Sequence, residues 1–271
     1  MSNEFTKQLM VRPGKKVKLS KYDPEDALGW KKGHETNVSL KKTLATLDRL
    51  QSLLYADHKS ALLIVLQGMD GSGKDGTIRH VMSGVNPQGC QVTSFKVPTA
   101  EEAAHDFLWR VHHAVPEVGD IGVFNRSHYE DVLIVRVHKL VPKEVWSQRY
   151  DEINDFESML AENNVKILKF FLHISKEEQK KRLLKRIDDQ NHQWKLSEAD
   201  FHERRFWADY MAAYEDALTK CTTDAAPWFI IPSNKKWFRN LAVSHIIAET
   251  LENMHMRFPV PTIDVSKLKF S

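Results

Sequence analysis

Five short apolar runs punctuate the chain, and a polar or glycine-rich burst follows each of them. ALLIVL at 61–66 is continuous and too short for a typical helix, so it reads as a strand buried on both faces. GCQVTSFKV, IGVF, VKILKFFLHI and PWFIIPS read as the second to fifth strands. Between them the period changes to that of helices. Leu40, Leu44, Leu47, Leu50, Leu53 and Leu54 recur at helical spacing behind a cap at Asn37 or Ser39. KDGTIRHVMSGV predicts a helix ending near Gly84, and AEEAAHDFLWRVHHAV predicts one opened by a Thr99–Glu102 capping box. A further helix includes LIVRVHKL, and Pro142 opens another to about Asn163. Ser175 caps KEEQKKRLLKRIDD, with Glu178 as its reciprocal partner. Residues 198–219 and KKWFRNLAVSHIIAETLENM complete the set.

Strands alternating with helices predict an α/β fold: a mostly parallel five-stranded sheet covered on both faces, in three α/β/α layers. Ligands of such folds bind beyond the carboxyl ends of the strands. The suspicious residues fall there. QGMDGSGKDGT follows the first strand, Lys96 to Thr99 the second, NRSHYED the third, and the KKRLLKR helix the fourth.

The segment after the first strand carries Gly-x4-Gly-Lys. Gly68, Gly71, Ser72, Gly73, Asp75 and Gly76 surround Lys74 in a loop whose backbone N–H groups and following helix suit phosphoryl oxygens. Asp75 stands where a hydroxyl residue usually binds magnesium, so Asp70 and Asp75 are the nearby carboxylates for that task. Across the site, Asn125, Arg126, Glu130 and Asp131 combine a carboxamide, a guanidinium and two carboxylates. Asp70 and Asp131, one from each side, would suffice for Mg2+, with Mn2+ as a substitute. Arg126 would clamp phosphoryl oxygens in the transition state. Arg182 and Arg186 lie four apart on one helix face, as a phosphate chain would want. DDQNHQWKL has a lid's composition, spanning about 187–204, and HERR, with Arg204, returns it to the sheet. The other lysines of this region read as solvated.

Composition narrows the classes further. The chain has 271 residues and a formal charge of +3, from 39 basic against 36 acidic residues, too mild to imply nucleic acid. Two cysteines form neither a disulfide framework nor a ligand cluster, which suits a reducing compartment. No apolar run approaches the roughly 18 residues of a span, so a soluble cytoplasmic protein without membrane association is expected. Residues 1–36 form a basic arm, 37–258 the phosphate-handling domain, and 259–271 an extended tail. The arm's aromatic and basic make-up points to a homo-oligomer, a dimer or tetramer.

GMDGSGKDGTI, VPTAEEAAHDFLWR, FNRSHYEDVLIVRV, KRLLKRIDD with NHQWKLSEAD, and PWFIIPSNKKWFRNL together resemble the polyphosphate kinase 2 family over about residues 30–255. The resemblance implies a core like that of P-loop nucleoside monophosphate kinases, with a helical lid. It also implies magnesium-dependent phosphoryl exchange between inorganic polyphosphate and AMP, ADP and ATP, with guanine nucleotides as further acceptors. By resemblance, Asp70 and Lys74 match the family's essential loop residues, and Arg126 matches its arginine after the third strand. Asn125 replaces an aspartate found in members with FDRSWYNR, and Asp131 takes over its carboxylate role. The FNRSHYED variant resembles the subgroup that phosphorylates both AMP and ADP. The rival readings are an ATP-dependent small-molecule kinase of the same fold and a non-catalytic polyanion-binding module. Paired carboxylates opposite Lys74 count against the second.

Overall fold

A computed structural model describes residues 3–190, 193–195, 198–263 and 268. Five strands form one sheet: β1 (Ala61–Gln67), β2 (Cys90–Ser94), β3 (Ile121–Asn125), β4 (Val165–His173) and β5 (Trp228–Pro232). Their order is β2-β3-β1-β4-β5, and every pairing within the sheet is parallel. β1 lies at the centre, buried along its whole length. Its side chains alternate between two cores. Ala61, Leu63 and Val65 meet the helices Lys143–Glu162 and Trp207–Lys220, whereas Leu62, Ile64 and Leu66 meet His34–Asp57, Lys74–Val81 and Lys236–Glu252. This is the three-layer α/β/α arrangement expected of an apolar run that is buried on both faces.

Several helix boundaries differ from the periodicity, each for a local reason. The first long helix starts at His34 behind Gly33, ahead of Asn37 and Ser39. The Lys74 helix ends at Val81, short of Gly84. The run after Thr99 does not form one helix. The Thr99–Glu102 capping box is present, but the helix covers only Ala100–Ala103, and Asp106 accepts from the Leu108 amide before Trp109–His112 resumes. A side chain that satisfies the backbone locally interrupts the ladder. LIVRVHKL contributes only Ile134–Val137. Residues 198–219 are divided by a 3-10 turn, Arg204–Phe206. At Ser175 only half the box forms: the hydroxyl accepts from Glu178 N, while the Glu178 carboxylate turns to Arg182.

The amino-terminal arm is folded onto the core. A helix at Asn3–Leu9 buries Phe5 and Leu9, and Val11, Val17 and Leu19 are buried as well. These five side chains are covered by the chain itself. Of the segment expected to form a lid, residues 191, 192, 196 and 197 lie outside the described residues, as do 264–267 and 269–271 of the tail. Among the described residues, no helix is long and apolar enough to cross a membrane.

Candidate active site

The carboxyl end of β1 passes directly into the glycine loop. Gly68 has φ 151°, and a Cβ there would sit 2.8 Å from the Leu172 carbonyl oxygen of the neighbouring strand. The loop therefore leaves the sheet where only glycine fits. Ser72 N donates to Met69 O at 2.9 Å, closing a turn that aims the chain into the Lys74–Val81 helix. Lys74 is 8% exposed, and its ammonium donates 2.7 Å to Gly68 O. Burial depresses its pKa, although Asp70, Glu130 and Asp75 oppose the shift.

Arg126 reaches the same space from β3. Its amide continues the ladder by donating to Leu66 O at 3.0 Å, and its φ of 61° is left-handed. Non-glycine residues rarely adopt that conformation, and it costs of order 1–3 kcal/mol. Here it turns the side chain back over the loop. Nη2 donates 2.7 Å to Asp70, whose carboxylate also lies 3.8 Å from the Lys74 ammonium. Burial alone would raise the Asp70 pKa, but Lys74 and Arg126 outweigh it and hold the carboxyl below its ordinary range. Burial would lower the Arg126 pKa; Asp70 and Glu130 reverse that, so the guanidinium is firmly charged.

Asn125 donates to Asp75 at 2.9 Å, tying the two sides of the site together. Glu130 accepts from Gln67 at 3.1 Å, and its field acts on Lys74, Arg126 and Tyr214. Asp131 sits elsewhere. It accepts from Arg149 at 2.9 Å, and the positive groups that act on it most are Arg149, Arg110 and His128. The structure thus gathers Asp70, Lys74, Asp75, Asn125, Arg126 and Glu130, and pairs Asp131 with Arg149. Consecutive residues in the His128–Val132 3-10 turn point in different directions, so adjacency in sequence does not place them together.

The arginines of the helix after β4 and of the returning segment also have definite positions. Arg182 holds the phosphate loop from behind. Nη1 donates to Gly71 O and Ser72 O, both at 3.0 Å, and Nη2 to Ser233 O and Asn234 O at 2.6 and 2.8 Å. One guanidinium thereby ties the loop to the end of β5. Arg186, one turn further on, acts electrostatically on Asp70. Arg204 donates to Lys176 O and to Gln179, at 3.0 and 2.5 Å, fastening the returning segment to the base of the Lys176–Asp188 helix.

Sequence reasoning missed three contributors. Gln67 ends an otherwise apolar strand immediately before the loop, a signal that was available. Gln179 donates to Asp70 O at 2.7 Å, and Tyr214 is a buried phenol within the fields of Glu130, Arg126 and Asp70. Neither is distinguishable in sequence from an ordinary helix residue.

Magnesium requires hard oxygen donors and keeps several waters, so a dedicated protein cage is unnecessary. Among the described residues no group of three or more His, Cys, Asp or Glu side chains forms such a cage. The carboxylates of Asp70 and Glu130 facing Lys74 nonetheless fit a cation shared with phosphate oxygens.

The sequence and fold recur among known proteins. The family model for polyphosphate kinase 2 matches residues 30–259. The AMP/ADP-polyphosphate phosphotransferase of Meiothermus ruber is 49% identical over 263 residues, covering 97% of this chain and 98% of that protein. The ADP-polyphosphate phosphotransferase of Rhodopseudomonas palustris is 47% identical over 269 residues, covering 95% and 93%. The crystal structure of polyphosphate kinase 2 from Arthrobacter aurescens superimposes with a TM-score of 0.92 at 43% identity, covering 97% of this chain and 94% of that one.

Proposed function

The chain belongs to the polyphosphate kinase 2 family, and from that premise we propose that it transfers phosphoryl groups between inorganic polyphosphate and ADP or AMP. The observation that carries this reading is the convergence of Asp70, Lys74 and Arg126 at the mouth of a glycine loop. The acceptor is a nucleotide phosphate oxygen, already ionised at neutral pH, so no general base is needed. The reaction is then a direct in-line displacement: an oxygen of AMP or ADP bonds to the terminal phosphorus as the bridging oxygen leaves with its electron pair on the shortened chain.

Catalysis rests on alignment and charge neutralisation. Loop amides and Lys74 hold the phosphates. Arg126 follows the transferring group, because its fork is aimed from β3 over the loop. Asp70 holds that fork in place before substrate arrives. Asp70 and Glu130 would hold magnesium, which would neutralise phosphate charge and so lower the barrier. The loop side is assigned to polyphosphate and the Lys176–Asp188 side to the nucleotide. Guanine nucleotides are included as acceptors, because every contact proposed above is made to phosphate and not to the base. A cytoplasmic setting is assigned, which suits free Cys90 and Cys221. Assembly into a dimer or tetramer is retained as part of the proposal, testable by gel filtration with light scattering.

Incubation with magnesium, polyphosphate and each of AMP, ADP and GDP, read by ion-exchange chromatography, tests the activity. Nucleoside di- and triphosphates should form only when polyphosphate is present. Product formation driven by ATP on a non-nucleotide acceptor, with indifference to polyphosphate, would overturn the proposal.

A further inference from the structure

Arg239 lies between Phe238 and Leu241 on a helix whose buried residues are mostly apolar, and it is 1% exposed. Nη1 donates to Ser72 O at 3.1 Å, while Nε and Nη2 donate to Asn240 Oδ1 at 3.2 and 2.9 Å. Every hydrogen-bond partner is neutral. Among the described residues the charge that acts directly on it is a cation, Arg182, while the nearby Glu178 is paired with Arg182 and acts on Lys236. Burial and Arg182 push its pKa down to about 10, so it is still charged at neutral pH. A buried cation with no counter-ion is costly, and replacing such a group by a hydrophobic one of similar volume is often stabilising. Its retention calls for a use of the charge.

On its other side lies the phosphate loop. A Cβ on Gly73 would collide with the Arg239 guanidinium, and one on Gly76 would approach Nη2 to 3.3 Å. Both glycines allow backbone to press directly onto a cation. Ser72 O is turned toward Arg239 and Arg182, so this carbonyl dipole faces rearward, away from an anion at the front.

We propose that Arg239 is a positioning residue of the phosphate loop. It holds the Ser72 carbonyl to the rear and supplies a buried positive charge that is balanced across the loop by substrate phosphate, not by a carboxylate of the protein. The inference rests on the phosphoryl-transfer reading above. Arg239 is too buried to touch substrate and acts through the loop. Its field is felt by ground state and transition state alike, so affinity moves more than kcat.

The test compares wild type, R239M and R239K in steady-state kinetics with polyphosphate and ADP varied separately, and in thermal melting with and without each ligand. R239M should raise KM for one anionic substrate about tenfold while kcat changes no more than about threefold. The same ligand should give a smaller melting shift, with the ligand-free melting temperature unchanged or higher. R239K keeps the charge while giving up the paired bonds to Asn240 Oδ1, and because the proposed role is that of the charge it should restore KM to within about threefold of wild type. Which substrate responds identifies the one on the loop; a response from ADP would move that assignment without touching the role of Arg239. Wild-type KM and melting shifts for both ligands in R239M would overturn the inference. If R239M does not fold, R239K decides: near-wild-type KM supports it, and a KM as weak as tenfold above wild type overturns it. Absence of polyphosphate-dependent turnover in wild type would instead be a failure of the functional reading.

Discussion

Arg126 donates a 2.7 Å charge-assisted hydrogen bond to Asp70 across 56 positions of sequence, from the end of one central strand to the loop after its neighbour. The same carboxylate lies 3.8 Å from Lys74, so Asp70 occupies the space between the two cations most able to bind a phosphoryl group. Anionic substrate must compete with Asp70 for Arg126, and a shared cation would let all of these groups coexist.

R126K should therefore lose most of kcat, by about 10² to 10³-fold, with far less effect on substrate affinity. Lysine retains the charge but cannot reproduce a planar fork bridging Asp70 and a phosphoryl oxygen. Raising polyphosphate to saturation separates docking from catalysis. Full recovery of R126A under that condition would show that Arg126 merely attracts the polyanion.

Metal dependence should discriminate between the two carboxylates after β3. Glu130 shares the field of Lys74 and Arg126, whereas Asp131 is paired with Arg149. D70N should abolish most turnover with the fold intact, and E130Q should raise the magnesium concentration needed for half-maximal rate. D131N should leave that requirement unchanged. A D131N enzyme with a sharply raised magnesium requirement, and an unaffected E130Q, would return the metal role to Asp131.

Behind the β3 loop, Glu157 accepts from Tyr129 OH at 2.9 Å and is paired with the Lys169 ammonium and His128. Burial would raise its pKa, but Lys169 and His128 outweigh it and hold it below the ordinary value of 4.5. A carboxylate depressed on folding contributes stability above its unfolded pKa, and that contribution is lost as pH falls through the folded value. Wild type should thus lose stability as pH falls below about 4.5. E157Q should cost about 3–5 kcal/mol at pH 7, because Lys169 would be left buried without a counter-charge. Urea denaturation at pH 7 and pH 4 should show the gap between the two proteins narrowing in acid. A gap that widens in acid would contradict the assignment of charge in this cluster.

Much of this architecture was legible in the chain. The apolar run at 61–66 is long enough to cross one sheet and too short for much else, and the glycine loop can only follow it. Lys74 and Arg126 follow from their positions at strand ends. Their partners do not. Glu130 and Asp131 are adjacent, equally acidic, and separated only by which way a 3-10 turn faces. Arg182 reads as half of a phosphate-binding pair with Arg186, and its hold on the loop's carbonyls shows only when the ends of two strands are brought beneath it. The break at Asp106 depended on one side chain accepting from an amide two residues on. Such local competition leaves no trace in hydrophobic period.

Arg182 and Arg186 should behave differently, although one helical turn separates them. Arg182 already spends its guanidinium on four carbonyl oxygens and on Glu178, at 2.9 Å. R182A would take this donor from Gly71 O, Ser233 O and Asn234 O, leave Ser72 O to Arg239, and release the loop from the end of β5. Each buried acceptor left unsatisfied costs about 1–3 kcal/mol, partly offset where water enters. The ligand-free protein should therefore melt at a lower temperature, and kcat should fall because the loop is no longer held. Arg186 acts on Asp70 through its field, so R186A should slow turnover while leaving the ligand-free melting temperature close to wild type. Thermal melting without substrate, paired with kcat for each variant, makes the distinction. Equal melting temperatures for R182A and wild type would show that the clamp on Gly71 and Ser72 is not what Arg182 contributes.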